Sequence, residues 1–525
     1  MRFKRATVSD PGTGKVCQLS YARLKAVAPS NVAGLLEQGA NDHPALVIPD
    51  RYSLTYARLR ELTEETAHAL TSLGVGIGDR VAIVYPNGPE AIVLFLAASM
   101  VATACPLNLA YKEDEFRFYL EDVGARFLVV APGEAEAARR AIPAGVKIIE
   151  ASIDGGGRLR MGGDARVSGR DSLEQSSAAD IGLVLHTSGT TSRPKRVPLR
   201  NDNLAASVGN IIATYELSPE DVSLCIMPLF HVHGLVASAL ATFASGGTVV
   251  APERFSPLGF WPLMQAYRPT WFTASPTPHQ LVLARLQADR PAGTERLRFV
   301  RSCSSALSPA QLTLMEQRFG VPVLEAYGMT EASHQMASNP LPPNPRFAGS
   351  VGRGTGVDIA IFDEAGKSMP DGAPGEVVIR GRNVMHGYEN NPQANAASFV
   401  DGWFRTGDLG TLDGAHYLRL IGRLKELINR GGEKIAPREI DEVLESHPAV
   451  KEAVAFGVPH PTWGEEVAAA VVLTGTATEK ELLAYCRERL ADFKVPRHLH
   501  IVESIPRTPT GKVQRRFVAE QLAQA

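Results

Sequence analysis

A chain of 525 residues exceeds what one hydrophobic core organises, which implies a large unit built from sub-lobes plus at least one smaller domain. Its 54 basic and 56 acidic residues leave a formal net charge of -2, so nothing in the balance demands a polyanionic partner such as nucleic acid. Hydrophobic content of 44% suits a globular protein, and no apolar run approaches the roughly 20 residues needed to span a membrane. The basic start MRFKRATVSD has no apolar core behind it and the terminal QLAQA is no peroxisomal address, so a cytoplasmic location is expected. Cys17, Cys105, Cys225, Cys303 and Cys486 are scattered singly, without the spacing of a disulfide framework or a zinc site, and reduced thiols are expected.

In chain order, YSLTYARLRELTEETAHALTSLGV reads as a strand and an amphipathic helix, and RVAIVYP as a buried strand followed by the helix EAIVLFLAASMVA. The rhythm repeats through FLVVAP and KIIEA, pauses at IDGGGRLRMGGDARVSGRD, which is expected to be a surface loop, and resumes at IGLVLHTSG. LCIMPLF, GTVVAP, TWFTASP, RFVRSC and PVLEAYG then alternate with helical segments such as PAQLTLMEQRF, which favours a wound parallel or mixed sheet. From about Gly352 to Gly422 short strands and turns suggest a β-rich lobe. After Leu424 helices and strands alternate again over roughly a hundred residues. The expected organisation is therefore α/β: a large domain over 1–424, of wound α/β sub-lobes plus a β-rich lobe, and a small mobile α/β domain over 425–525.

The most specific stretch runs Thr187, Ser188, Gly189, Thr190, Thr191, Ser192, Arg193, Pro194, Lys195, after the strand IGLVLH. Backbone N–H groups near a glycine cradle anions, hydroxyls add donors, and Lys195 supplies a point charge, so the loop suits a triphosphate. It is not the GxxxxGK[ST] form of P-loop, and by itself it also reads as a polar surface turn. His231 and His233 are two apart, so on an extended segment they would point the same way; a packed pair is the bland alternative to metal ligation.

TSGTTSRPK resembles the signature of the adenylate-forming superfamily, which includes acyl-CoA synthetases, luciferases and carrier-loading adenylation domains. PLFHVHG, EAYGMTE, WFRTGDLG, GRLKELINRGGEKI and PRTPTGKVQRR continue the resemblance in order across most of the chain. The resemblance implies an acid–thiol ligase using ATP, Mg2+ and coenzyme A. Tyr327 would lie against adenine, with Glu325 and Ala326 beside it. Ser304 joins the nucleotide contacts, Thr330 would donate to the α-phosphate, and Glu331 would ligate the metal. Asp408 would accept from the ribose hydroxyls, and Arg423 would contact the sugar or phosphates. Lys512 would stabilise charge at the bridging oxygen, Lys425 would mark a hinge, and Gly432 would line a pantetheine tunnel. His231 would gate the acyl pocket. Acetylation of Lys512 by a lysine acetyltransferase would remove its charge.

Within the superfamily, HTSGTTSRPK, LRFVRSCSSAL, EAYGMTEASHQMASNPLP and LKELINRGGEKI are most similar to oxalate-CoA ligases of the plant and fungal type. Oxalate is a small dianion whose distal carboxylate needs a cation or several donors, for which His233, Arg301, Ser302 and His334 are available. Malonate, another short acid or an aromatic acid are the alternatives. Arg196 departs from the family, which has glycine after the lysine. If that position needs a positive φ, Arg196 is strained and restoring glycine raises turnover; otherwise its side chain sits in solvent or adds a phosphate contact. A nucleotide-binding protein with impaired catalysis rests on that residue.

Overall fold

The computed structural model describes residues 30–163, 173–187, 194–286, 291–507 and 513–522. Runs such as Arg80–Val84 and Phe127–Val130 are apolar on both faces, as strands covered on both sides must be. They form the middle of a seven-stranded sheet in the order Leu159–Gly163, Lys147–Ile153, Phe127–Val130, Arg80–Val84, Thr103–Pro106, Ile181–His186, Arg196–Arg200. Its inner strands are parallel and its two edges antiparallel. A nine-stranded sheet has a parallel centre that includes Val222–Leu224, Trp271–Ala274, Phe299–Ser302 and Val323–Met329, and His334–Ser338 runs antiparallel beside the last. The helix Pro89–Val101, apolar almost all round, shares one buried cluster with residues of both sheets, among them Val81, Ile83, Leu46 and Val249. Burying each Leu- or Phe-sized side chain there contributes about 1.5–3 kcal/mol.

Asp358–Phe362, Gly375–Arg380, Trp403–Leu412 and Leu418–Arg423 pair antiparallel, the β-rich lobe expected from the change of pattern. The turn Leu424–Glu426 leads into the last unit. There a long hairpin, Val450–His460 against Gly464–Leu473, carries the helices Pro437–Glu445 and Glu479–Arg487. Its core, with Ile440, Ala455, Val471 and Leu482, is separate from those of the large body.

Two expectations are corrected. The Gly-rich stretch is not wholly a loop: Leu159–Gly163 is an edge strand against Lys147–Ile153, because Asp154 Oδ1 accepts from the backbone N–H of Gly156 and Arg158 and closes a tight turn. The histidine pair is not extended: His231 lies in a turn and His233 opens a wide helix over His233–Leu240. A Cβ on Gly234 would stand 2.4 Å from the Pro228 carbonyl, so glycine permits that sharp return. Among the described residues no helix is long and apolar enough to cross a membrane.

Candidate active site

The parallel strands Trp271–Ala274, Phe299–Ser302 and Val323–Met329 end together, and the candidate residues gather toward their carboxyl ends, where α/β sheets bind ligands. Tyr327 is buried and donates its hydroxyl to Asp408 Oδ2, while Arg423 Nε lies 3.0 Å from Asp408 Oδ1. Asp408 and Arg423 face one another in the antiparallel ladder, so register alone makes the pair. Asp408 holds Arg423 above the ordinary guanidinium range, and burial followed by the Asp408 charge raises the Tyr327 phenol well above its own. Each carboxylate oxygen retains a lone pair for a sugar hydroxyl. Glu325 is buried beside this group, accepts from Gly349 N–H at 3.0 Å, and is pushed up to about 7 by desolvation. Ala326 sits between Glu325 and Tyr327, also buried.

Glu331, buried in the short turn Thr330–Ala332, accepts the Tyr388 hydroxyl at 2.8 Å on Oε1. Desolvation raises its carboxyl, against the pull of Tyr388, Arg423 and Lys195. Lys195 Nζ stands 4.4 Å from the centre of the Tyr388 ring, a cation–π contact. Its ammonium is lowered by burial and by the neighbouring Lys425 ammonium. Two cations facing one site favour an anion between them. A carboxylate offers about four lone-pair positions, so acceptance from one hydroxyl leaves Glu331 able to hold a hard divalent cation jointly with phosphate oxygens. Thr187, at the end of the strand Ile181–His186, exchanges contacts with Lys195: its N–H donates to the Lys195 carbonyl at 3.0 Å.

The third group surrounds Arg301, which is fully buried. Its Nε donates to Tyr215 Oη at 2.8 Å, Nη1 to Thr273 Oγ1 at 3.0 Å and Nη2 to Gln335 Oε1 at 3.1 Å, with His233 and His334 each 3.4 Å away. Among the described residues no carboxylate pairs with it. His233 Nδ1 lies 2.9 Å from Ser304 Oγ and its Nε2 2.6 Å from Thr273 Oγ1. Ser304, Ser333 and His334 all have positive φ, and a Cβ on Gly328 would stand 2.2 Å from the His334 carbonyl. Such strain persists only where the surroundings over-determine it. Ser302 alternates to the opposite face of the strand from Arg301, and its buried Oγ makes no hydrogen bond among the described residues. His231 accepts the His233 N–H on Nδ1.

A cleft of about 800 Å3 lies between the large body and the last unit, lined by Ser304, Asp408 and Arg423 of the body, by Lys425 at the junction, and by Arg507 and Arg515 of the last unit. Arg507 spans it, donating to Thr277 Oγ1 at 2.9 Å while paired with Glu452 at 2.7 Å. Gly432, at φ 95°, turns the hairpin between Ile428–Arg430 and Glu433–Ile435, with open space where a side chain would stand. Ser188, Gly189, Thr190, Thr191 and Lys512 lie outside the described residues.

Arg196 corrects the sequence reading. It opens the strand Arg196–Arg200 without positive φ, and its largely buried guanidinium turns to Asp122 and Glu389 at 3.4 and 3.6 Å. It is neither strained nor in solvent. Tyr215, Thr273, Gln335, Tyr388 and Glu389 went unnoticed in the sequence; the register pairing Thr273 with Arg301 is a property of sheet order that no linear motif carries.

A parallel-strand site with two ammonium groups and a buried carboxylate, faced across a cleft by a smaller α/β unit, defines a nucleotide-dependent enzyme. The chain belongs to the AMP-binding enzymes: residues 36–389 match that family, and residues 439–512 match the AMP-binding enzyme C-terminal domain. It is 46% identical to an oxalate–CoA ligase of Arabidopsis thaliana, over 93% of this chain and 98% of that protein. It is 42% identical to an oxalate–CoA ligase of Saccharomyces cerevisiae, over 92% of this chain and 96% of that protein. Among solved structures, ATP-bound MatB from Rhodopseudomonas palustris superposes with a TM-score of 0.85 at 30% identity, over 94% of this chain and 98% of that one.

Proposed function

We propose that the protein is a cytoplasmic ATP-dependent ligase that activates oxalate as its acyl-adenylate and passes the oxalyl group to coenzyme A. Family membership and two oxalate–CoA ligase relatives above 40% identity support the reaction. The observation that carries the choice of acid is Arg301: a buried guanidinium whose hydrogen-bond acceptors are neutral. An uncompensated buried charge costs several kcal/mol, and a small dianion offsets that cost with its distal carboxylate. His233 and His334 beside it supply further polar edges, where a long-chain acid would want apolar walls.

In the first step a carboxylate oxygen of the acid attacks the α-phosphorus and pyrophosphate leaves. A carboxylate is already nucleophilic, so the protein contributes alignment and charge neutralisation. Tyr327 packs against adenine with Glu325 and Ala326, Asp408 and Arg423 take the ribose, and Ser304 lies at the junction with the acid. Thr187 to Thr191 and Lys195 hold the β- and γ-phosphates, and Thr330 donates to the α-phosphate. Glu331 would hold Mg2+, which would supply charge neutralisation at the displaced group. Lys512 approaches the bridging oxygen. In the second step the coenzyme A sulfur attacks the acyl carbon, AMP leaves with the electron pair, and the thiol proton passes to solvent. For that step the unit from Lys425 onward, 425–525, turns against 1–424, with Lys425 as hinge, Gly432 beside the pantetheine arm and His231 gating the acid. Acetylation of Lys512 by a lysine acetyltransferase would stop the first step and spare the second.

The test is coenzyme A-dependent AMP formation with ATP and Mg2+ across oxalate, malonate, acetate, a medium-chain fatty acid and 4-coumarate. AMP with oxalate far above the rest is expected. Preference for another acid overturns the oxalate assignment, and no AMP with any acid overturns the ligase.

A further inference from the structure

We propose that Arg196 is a positioning residue that, by clamping Glu389 together with Arg80, fixes the adjacent Tyr388 and through it the orientations of Glu331 and Lys195. The inference rests on the ligase reading above and deepens it, since it concerns a residue at which the chain departs from its family's pattern.

Two pairs of consecutive residues meet. Lys195 lies over the ring of Tyr388, and the next residue of each pair, Arg196 and Glu389, forms an ion pair behind them. Glu389 is held from two sides: Arg80 Nη2 at 2.5 Å from Oε1, and Arg196 Nη1 at 3.6 Å from Oε2. Arg196 Nε reaches Asp122 at 3.4 Å, which itself meets His186 Nε2 at 2.9 Å. The side chains of Arg80, Arg196 and Glu389 are 17, 16 and 19% exposed, so solvent screens the cluster less than it would a surface pair. Two guanidinium groups and two carboxylates balance in charge, with Arg80 Nη1 and Arg196 Nε buried and making no hydrogen bond among the described residues.

The clamp joins four separate places in the chain: the strand Arg80–Val84, the helix Glu113–Val123, the strand Arg196–Arg200 that follows the phosphate loop, and the segment carrying Tyr388. Tyr388 is also tied by its own N–H to Asn395 Oδ1 at 2.7 Å. With its backbone fixed at Asn395 and Glu389, its hydroxyl meets Glu331 at 2.8 Å and its ring meets Lys195. A partner that orients a metal-holding carboxylate changes metal affinity without touching the metal. Glycine at 196 would leave Glu389 with Arg80 and Asp122 with His186, so the expected consequence is a looser Tyr388 and not an unfolded chain.

The experiment measures Mn2+ held with ATP on the full chain, by the enhancement of water-proton relaxation that a protein-bound Mn2+–ATP complex gives and the free complex does not, alongside ATP affinity in EDTA. Arg196→Met and Glu389→Gln should each weaken Mn2+ binding about 10-fold and shift metal-free ATP affinity by less than about 2-fold. The double variant should be no weaker than the worse single one, because both act through Tyr388, and Arg196→Lys should recover most of the loss. Mn2+ affinity unchanged in both single variants, or ATP affinity falling equally with and without metal, overturns the positioning role. Failure of the unsubstituted chain to bind Mn2+ with ATP overturns the ligase reading and the proposal with it.

Discussion

Arg301 and Arg196 are both withdrawn from solvent, yet their surroundings are opposite. Arg196 has two carboxylates within 3.6 Å and a local balance of charge, whereas Arg301, more deeply buried, has a phenol, a hydroxyl, an amide oxygen and two imidazoles. In charge, a paired cluster is closed. A buried cation facing neutral acceptors is open to an anion. The proposed roles follow that difference, with Arg196 shaping a site and Arg301 receiving an acid, and the kind of residue alone would not have separated them.

The comparison can be broken most severely by giving Arg301 the counter-ion it lacks. Thr273→Asp places a carboxylate where Nη1 now donates at 3.0 Å. Turnover of oxalate should fall about 1000-fold, on the scale of a lost buried charge interaction, read as kcat/KM for AMP formation. Next is the anchor that the Arg196 cluster supports. Glu331→Gln removes the charge but keeps a polar group for Tyr388, and adenylation at fixed Mg2+ should drop about 100-fold, checked by isotope exchange between pyrophosphate and ATP. Smaller still is Arg196→Gly: turnover at limiting Mg2+ should fall about 10-fold and recover in part as Mg2+ is raised, where a strained arginine would have given an increase.

A separate effect, on stability and not on turnover, concerns Glu325, outside both arginine clusters. Its folded carboxyl is pushed up to about 7 from an ordinary 4.5, so the fold favours the protonated form. That contribution is fully present below pH 4.5 and is lost as pH rises through about 7. Thermal unfolding at pH 5.5 and 8.5 should therefore show Glu325→Gln gaining on the unsubstituted chain with pH, by on the order of 2 kcal/mol.

The order of strands and helices in the large body could be read from apolar runs and turn residues because strands such as FLVV are buried on both faces and leave no ambiguity. Tyr327, Asp408 and Arg423 could be named because each sits in an ordered motif, and the sheet brings those motifs together. What surrounds Arg301 could not, since Tyr215, Thr273 and Gln335 come from a helix and two other strands whose adjacency exists only after the sheet has formed. The edge strand Leu159–Gly163 was hidden by its glycines, which lack the side chains that betray a strand. Arg196 was noticed for the residue it replaces, but its ion pairs depend on Glu389, nearly two hundred positions away.

A guanidinium at Arg301 that receives the distal carboxylate of a small diacid would show in the ratio of kcat/KM for oxalate to that for acetate. In the unsubstituted chain the ratio should exceed about 1000, and in Arg301→Met it should collapse toward unity because oxalate loses its partner while acetate has none to lose. A ratio that survives the substitution, or one near unity in the unsubstituted chain, would mean that Arg301 does not receive the acid.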